Sequence, residues 1–360
     1  MPETSVEEFG TTDDEQVVHR YVLDNGHIVL ALLTYGATVQ TLSAVGRHGA
    51  VEDVVLGFDD LDGYTSQDAY IGAVVGRYAN RIARGRFTLD RTDYQVSTND
   101  RGHALHGGPA GFHTQVWSAQ VASTDEGPRV EFRHVSPDGT MGFPGTVEVS
   151  VSFTLAGNEV LIDYWATTDR PTVLNVTQHA YFNLSGQAAS TIGHHLLEIP
   201  GSSYLPVDQD SIPLNGAAPV EGTPFDFRSP RVVGKGLGMD DQQLRLTHGY
   251  DHTWVLDRQS PGLTRAARLS DPTSGRALEV LTDQPGVQFY SGNLLDGSLR
   301  GKGGVVYDKH AGLCLETQGF PDSPNQPDFP STVLRPGERF TSRTVWSLST
   351  ISGAEALRTD

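Results

Sequence analysis

The chain has 360 residues, with 26 Lys+Arg against 44 Asp+Glu and a formal net charge of −18. That balance repels a phosphate backbone and an anionic lipid surface, so it argues against nucleic acid and membrane as partners and for a neutral ligand. Cys314 is the single cysteine, which excludes an intrachain disulfide and a multi-cysteine zinc site.

Residues 1–14 open as "MPETSVEEFGTTDD", acidic and without the apolar run of a signal peptide. They read as a disordered lead-in to one domain over 15–360. No stretch approaches the length of a membrane span, so a cytoplasmic protein is expected. "VVHRYVLDNGHIVLALLTYG" at 17–36 sets two alternating apolar runs around Asp24-Asn25-Gly26, a hairpin signal because Asn-Gly tolerates positive φ. "LDGYTSQDAYIGAVVGRYANRI" at 61–82 is the best helical candidate, and its glycines argue against a long helix. "VEFRHV", "TVEVSVSFTL", "EVLIDYWATT", "TWVLD" and "LEVLTD" repeat the strand pattern. Two irregular stretches, 200–240 and 319–331, are long enough to be binding loops. The expected fold is all-β, one large antiparallel β-sandwich with elaborate loops.

Within "NVTQHAYFNLSG" at 175–186, extended chain puts Val176, Ala180, Phe182 and Leu184 on one face. Asn175, Thr177, His179, Tyr181 and Asn183 form the other, a wall of uncharged hydrogen-bonding groups suited to neutral hydroxyls. His179 adds a side chain that exchanges a proton near neutral pH. In "GLCLETQGFPDSPNQP", Glu316 alternates with leucines; partial desolvation there makes a carboxylate a better base. Spacing alone leaves Glu316 equally readable as a surface residue at a strand end.

"GAVVGRYANRIARGRF" offers Asn80 and Arg81 as fixed donors, while Arg77, Arg84 and Arg86 read as surface charges. It lacks phosphate-loop spacing, as do "GKGLG" at 234–238 and "GKGG" at 301–304, which read as flexible loops. In "HALHGG", His103 and His106 have no evident third ligand, so His106 reads as a hydrogen-bond donor and no metal is expected. Asp251 in "GYDHTWVLD" reads, alone, as a turn residue. Gln288 and Tyr290 share one strand face in "QPGVQFYSGN". Asn, Gln, His, Tyr, one Arg and isolated carboxylates match a polyhydroxylated neutral ligand.

Taken in order, "GRYANRIARGRF", "LHGG", "NVTQHAYFNLSG", "GYDH", "QPGVQFYSGN" and "GLCLETQGFPDSPNQP" resemble the motifs of the aldose 1-epimerase (galactose mutarotase) family. The resemblance spans nearly the whole chain. It implies a galactose mutarotase-like β-supersandwich and a cofactor-independent isomerase acting on free hexoses such as galactose and glucose, with no metal, as a monomer or homodimer. On that likeness His179 is the general acid and Glu316 the general base, and Asn80, Arg81, His106, Tyr181, Asp251 and Gln288 bind the sugar. Tyr78 stands where the family pattern has a smaller aliphatic residue. Anomerisation needs ring opening, in which O1 loses a proton as the ring oxygen gains one, then rotation about C1–C2 and reclosure. Three other readings compete: a glycoside hydrolase using two carboxylates, a non-catalytic carbohydrate-binding module, and an epimerase of phosphorylated hexoses, which would need a basic cluster.

Overall fold

Gly26 takes a φ of +82°, Asp24 accepts from its N–H, and Asn25 Oδ1 accepts from the N–H groups of His27 and Ile28. This turn closes strands Val17–Asp24 and Val29–Leu33 into the expected hairpin. In the computed structural model, which describes residues 3–258 and 261–353, the hairpin sits inside a five-stranded antiparallel sheet. Its spatial order is Glu3–Thr11, Val17–Asp24, Val29–Leu33, Thr38–Val45 and Val51–Asp53.

The first of these strands corrects the sequence reading. Glu3–Thr11 is an edge strand paired with Val17–Asp24, not a disordered lead-in. Its contacts explain why an acidic run orders: Glu7 lies opposite Arg20 and accepts from its guanidinium, and the Phe9 ring lies 6.2 Å from that of Tyr64 in the turn 61–65. The carboxylates along it deter edge-to-edge pairing.

A nine-stranded sheet carries most of the remaining length. From one edge it runs Ser118–Ser123, Pro128–Ser136, Val147–Ala156, Glu159–Thr168, Phe340–Thr350, Arg276–Thr282, Thr264–Ser270, Leu196–Glu198 and Arg231–Val232. Period-2 alternation decides what it buries: Val147, Val149, Val151, Phe153 and Leu155 are all buried, while Glu148 between them is exposed. A second five-stranded sheet, ordered Ala218–Pro219, Ser203–Leu205, Asp251–Val255, Gly286–Tyr290 and Cys314–Gln318, carries the residues of interest. Leu30, Leu32 and Val39 of the N-terminal sheet, Phe132, Phe153 and Trp346 of the large sheet, and Trp254 and Phe289 of the third share one apolar core. Each such side chain contributes roughly 1.5–3 kcal/mol by burial. Among the described residues no helix is long and apolar enough to cross a membrane.

Helix is nearly absent from 61–82. Only Leu61–Thr65 coils, capped by Asp60, whose carboxylate accepts from Gly63 N–H. Beyond it Gly72 adopts a φ of +71°, and Val74–Val75 pairs as strand with Thr177–Gln178. Two stretches read as flexible loops are fixed. Val233–Leu237 is a helical turn, and Lys302 is buried with its ammonium on Asp53 and on the carbonyls of Gln40 and Val55. Arg84 and Arg86 are exposed as expected, but Arg77 is buried. Its guanidinium donates to the carbonyls of Ser136, Pro137, Pro144 and Gly145 and to Ser136 Oγ. Tyr78 is also buried, and its hydroxyl donates to Phe320 O and accepts from Ser323 N–H, pinning the proline-rich 319–331 stretch from beneath.

Candidate active site

The polar wall of 175–183 divides. Asn175 Nδ2 donates to the Ala79 and Gly319 carbonyls, Thr177 Oγ1 to the Thr317 carbonyl, and Asn183 Nδ2 to the Ala189 and Ala311 carbonyls. These three groups are consumed in holding neighbouring chain segments. His179 and Tyr181 reach a cavity of about 380 Å³ instead.

The position of His179 follows from Gly72. At Gly72 a Cβ would stand 2.2 Å from the Val39 carbonyl oxygen, so only glycine lets the chain pass there. Gly72 N–H then donates to the His179 carbonyl at 3.0 Å, and His179 N–H donates to the Ala73 carbonyl at 2.8 Å. Glu316 comes from the middle of strand Cys314–Gln318, opposite Gln288 in register. His179 Nε2 lies 3.6 Å from Glu316 Oε1. On the other side of the imidazole, Cys314 Sγ is 3.5 Å from Nδ1. Both groups of the pair are buried, and Glu316 Oε2 has no protein hydrogen-bond partner.

Burial dominates the electrostatics. It holds the His179 imidazole down at about 4 and raises the Glu316 carboxyl well above its usual range, with the Asp251 charge pushing the same way and Arg81 opposing. The 3.6 Å contact is therefore not a settled ion pair at rest. It is a neutral imidazole beside a carboxyl whose ionised form burial disfavours. Burial likewise raises Tyr181, whose hydroxyl donates to the Ala69 carbonyl at 2.9 Å, and keeps the Cys314 thiol protonated.

His106, in a left-handed conformation at φ +52°, stands edge-on to His179 with ring centroids 5.2 Å apart. Its Nδ1 accepts the Asn80 backbone N–H at 3.2 Å. That bond fixes the tautomer: Nε2 carries the hydrogen and is a donor. His106, His179 and Glu316 place ligand atoms within 4.8 Å of one another, but a cation would need the lone pair that His106 Nε2 lacks. As a donor, His106 Nε2 suits a hydroxyl oxygen.

Arg81 Nε donates to Asp100 at 2.8 Å, and its NH1 stands 4.0 Å from Asp251. Asp251, its carboxyl raised by burial, accepts from Gln288 Nε2 at 2.6 Å. Of the eight expected site residues, Asn80, Arg81, His106, His179, Tyr181, Asp251 and Glu316 line the cavity. Gln288 does not. It is buried behind Asp251, with Oε1 taken by Thr253 Oγ1 and Nε2 by Asp251.

The two long irregular stretches also stand behind the site rather than in it. Val207 and Ser211 from one, and Pro321 from the other, back Asn80 and Asp251. The loops that line the cavity are 66–70 and 294–299. Sequence reasoning missed Tyr70, whose ring lies 4.6 Å from those of His106 and His113. Its only sequence cue is the glycine two residues on, which marks a break in the helical pattern and not a ligand contact. Tyr290 lines the cavity too, its hydroxyl accepting from Leu294 N–H.

A β-sandwich in which Glu316 of the third sheet meets His179, from the segment just after Thr177–Gln178, in a hydroxyl-lined cavity defines a carbohydrate-active protein equipped with an imidazole–carboxyl pair. The aldose 1-epimerase family model matches residues 19–347. The chain is 46% identical over 329 residues to a galactose mutarotase of Rattus norvegicus, covering 91% of this chain and 93% of that one. It is 39% identical over 324 residues to an aldose 1-epimerase of Escherichia coli (strain K12), covering 89% and 92%. The solved galactose 1-epimerase of Lactobacillus acidophilus NCFM superimposes with a TM-score of 0.86 at 28% identity, covering 98% of this chain and all of that one. The chain belongs to the aldose 1-epimerase family.

Proposed function

We propose that the protein interconverts the α and β anomers of free aldoses such as galactose and glucose, with Glu316 as general base and His179 as general acid. The observation that carries the roles is the buried Glu316 Oε2 without a protein partner, in the cavity wall beside His179. O1 and O5 of a hemiacetal hang on one carbon, so acid and base must sit side by side. A separation of 3.6 Å between Nε2 and Oε1 meets that need.

The proton count closes. Ring opening takes the O1 proton onto Glu316 and gives the His179 Nε2 proton to O5. The pair starts as carboxylate and imidazolium and ends as carboxylic acid and imidazole, holding one proton throughout. Rotation about C1–C2 follows, and the transfers reverse on the other face. The neutral pair favoured at rest is the form that meets the open-chain sugar. Arg81 opposes the rise of the Glu316 carboxyl and so helps it ionise for the cyclic one. His106 Nε2–H, Asn80, Arg81 and Asp251 hold hydroxyls, and the Tyr70 and Tyr181 rings face C–H groups. We also read the protein as cytoplasmic, cofactor-independent, and a monomer or homodimer.

Arg81 is the one cationic side chain among the described residues lining the cavity, against Asp68, Asp251, Asp296 and Glu316. That lining disfavours a phosphorylated hexose. A hydrolase would leave His179 without a role. Polarimetry on freshly dissolved α-glucose or α-galactose tests the function: the protein should speed the drift in rotation, and an unchanged drift overturns the reading.

A further inference from the structure

We propose that Asp100 is a positioning residue that holds the Arg81 guanidinium off Asp251, so that both stay open to the sugar. This rests on the sugar-binding role given to Arg81 above. Arg81 has two carboxylates within reach. One contact is made, Nε to Asp100 Oδ2 at 2.8 Å; the other, NH1 to Asp251 Oδ2, stops at 4.0 Å. An arginine bonded through Nε has its planar fork fixed, with the terminal N–H groups aimed away from that bond. Without the Asp100 contact, nothing equivalent opposes closure of Arg81 onto Asp251, and a closed pair would satisfy both groups and withdraw them from the ligand.

Asp100 is itself braced. It sits in a tight turn: Asp100 N–H donates to the His103 carbonyl at 3.1 Å, and His103 N–H donates to the Asp100 carbonyl at 2.7 Å. Arg101 Nε donates to Asp100 Oδ1 at 3.1 Å, and Arg101 NH2 to Oδ2 at 3.2 Å. The same guanidinium continues to the Gln209 carbonyl at 3.0 Å and to Ser211 Oγ at 3.2 Å. A strap therefore runs from the 209–211 segment through Arg101 and Asp100 to Arg81 and the cavity. This gives the irregular 200–240 stretch a part in the site although none of it lines the cavity.

The test is a kinetic cycle with galactose. Asp100→Ala should raise KM about tenfold, the worth of one charged hydrogen bond, with kcat little changed. Asp100→Asn keeps an oxygen acceptor for Nε and should recover part of the loss; it also serves if the alanine variant does not fold. If Asp100 acts through Arg81, Arg81→Ala with Asp100→Ala should bind no worse than Arg81→Ala alone. A normal KM in Asp100→Ala, or additive losses in the double variant, overturns the proposal. Absence of any mutarotation by the unaltered protein would instead overturn the proposed function, so the two failures are distinct.

Discussion

Arg77 and Arg81 stand four residues apart in one motif and have opposite fates. The Arg77 guanidinium is enclosed by four backbone carbonyls and a serine hydroxyl, with the Phe143 ring centroid 5.7 Å away. Burial lowers it to about 10, still cationic at neutral pH. Arg81 has one firm partner and open N–H groups at the cavity. The same side chain is structural where the protein supplies enough acceptors and available for a ligand where it does not. Residues 175–183 repeat the lesson: Asn175, Thr177 and Asn183 are spent on carbonyls, whereas His179 and Tyr181 reach the cavity.

The sharpest way to break this contrast is at the least satisfied group. Glu316→Gln and His179→Ala should each lower kcat at least about a hundredfold, measured by polarimetry. Near-normal turnover in either would remove that residue from the chemistry. Next, Arg77→Ala should destabilise the fold by about 3 kcal/mol or more, because it strands buried acceptors. Chemical denaturation checks this, and the folded fraction should keep its kcat/KM. Arg81→Ala should do the reverse, raising KM roughly ten- to a hundredfold while stability changes little. If both arginines move stability alike, the division between enclosed and open groups fails.

A subtler test is pH. In the proposed mechanism the His179–Glu316 pair works only while it holds one proton. Below about 4, His179 gains a second proton beside the already protonated Glu316, and kcat/KM should fall. As pH rises through the elevated Glu316 value, the shared proton is lost and kcat/KM should fall again. Arg81→Ala removes the charge that opposes that elevation, so its alkaline limb should move to higher pH. A limb that stays in place would detach Arg81 from Glu316.

Much of the scaffold was legible because alternation and turn chemistry are local. The hairpin followed from Asn25-Gly26 between two alternating runs, and the strands between 128 and 168 from period 2. His179 and Glu316 were legible as candidates, and their pairing came with the family motifs. What alternation cannot read is the identity of the surface opposite. Asn175 and Thr177 looked like ligand contacts because nothing in the sequence places the Gly319 and Thr317 carbonyls against them. Arg77 and Lys302 looked exposed because their acceptors lie 59 or more residues away. Gln288 was a near miss: it is on the right strand, one layer behind the cavity, where it steadies Asp251.

Cys314 lies beneath the His179 ring, fully buried and held as the thiol. Thiol-directed reagents therefore find no accessible cysteine on the native protein, since Cys314 is the only one. Leu294, 76% exposed at the cavity rim, is a natural place to introduce one. A dye attached there would be the sole label on the molecule, and its emission would follow ligands entering and leaving in real time.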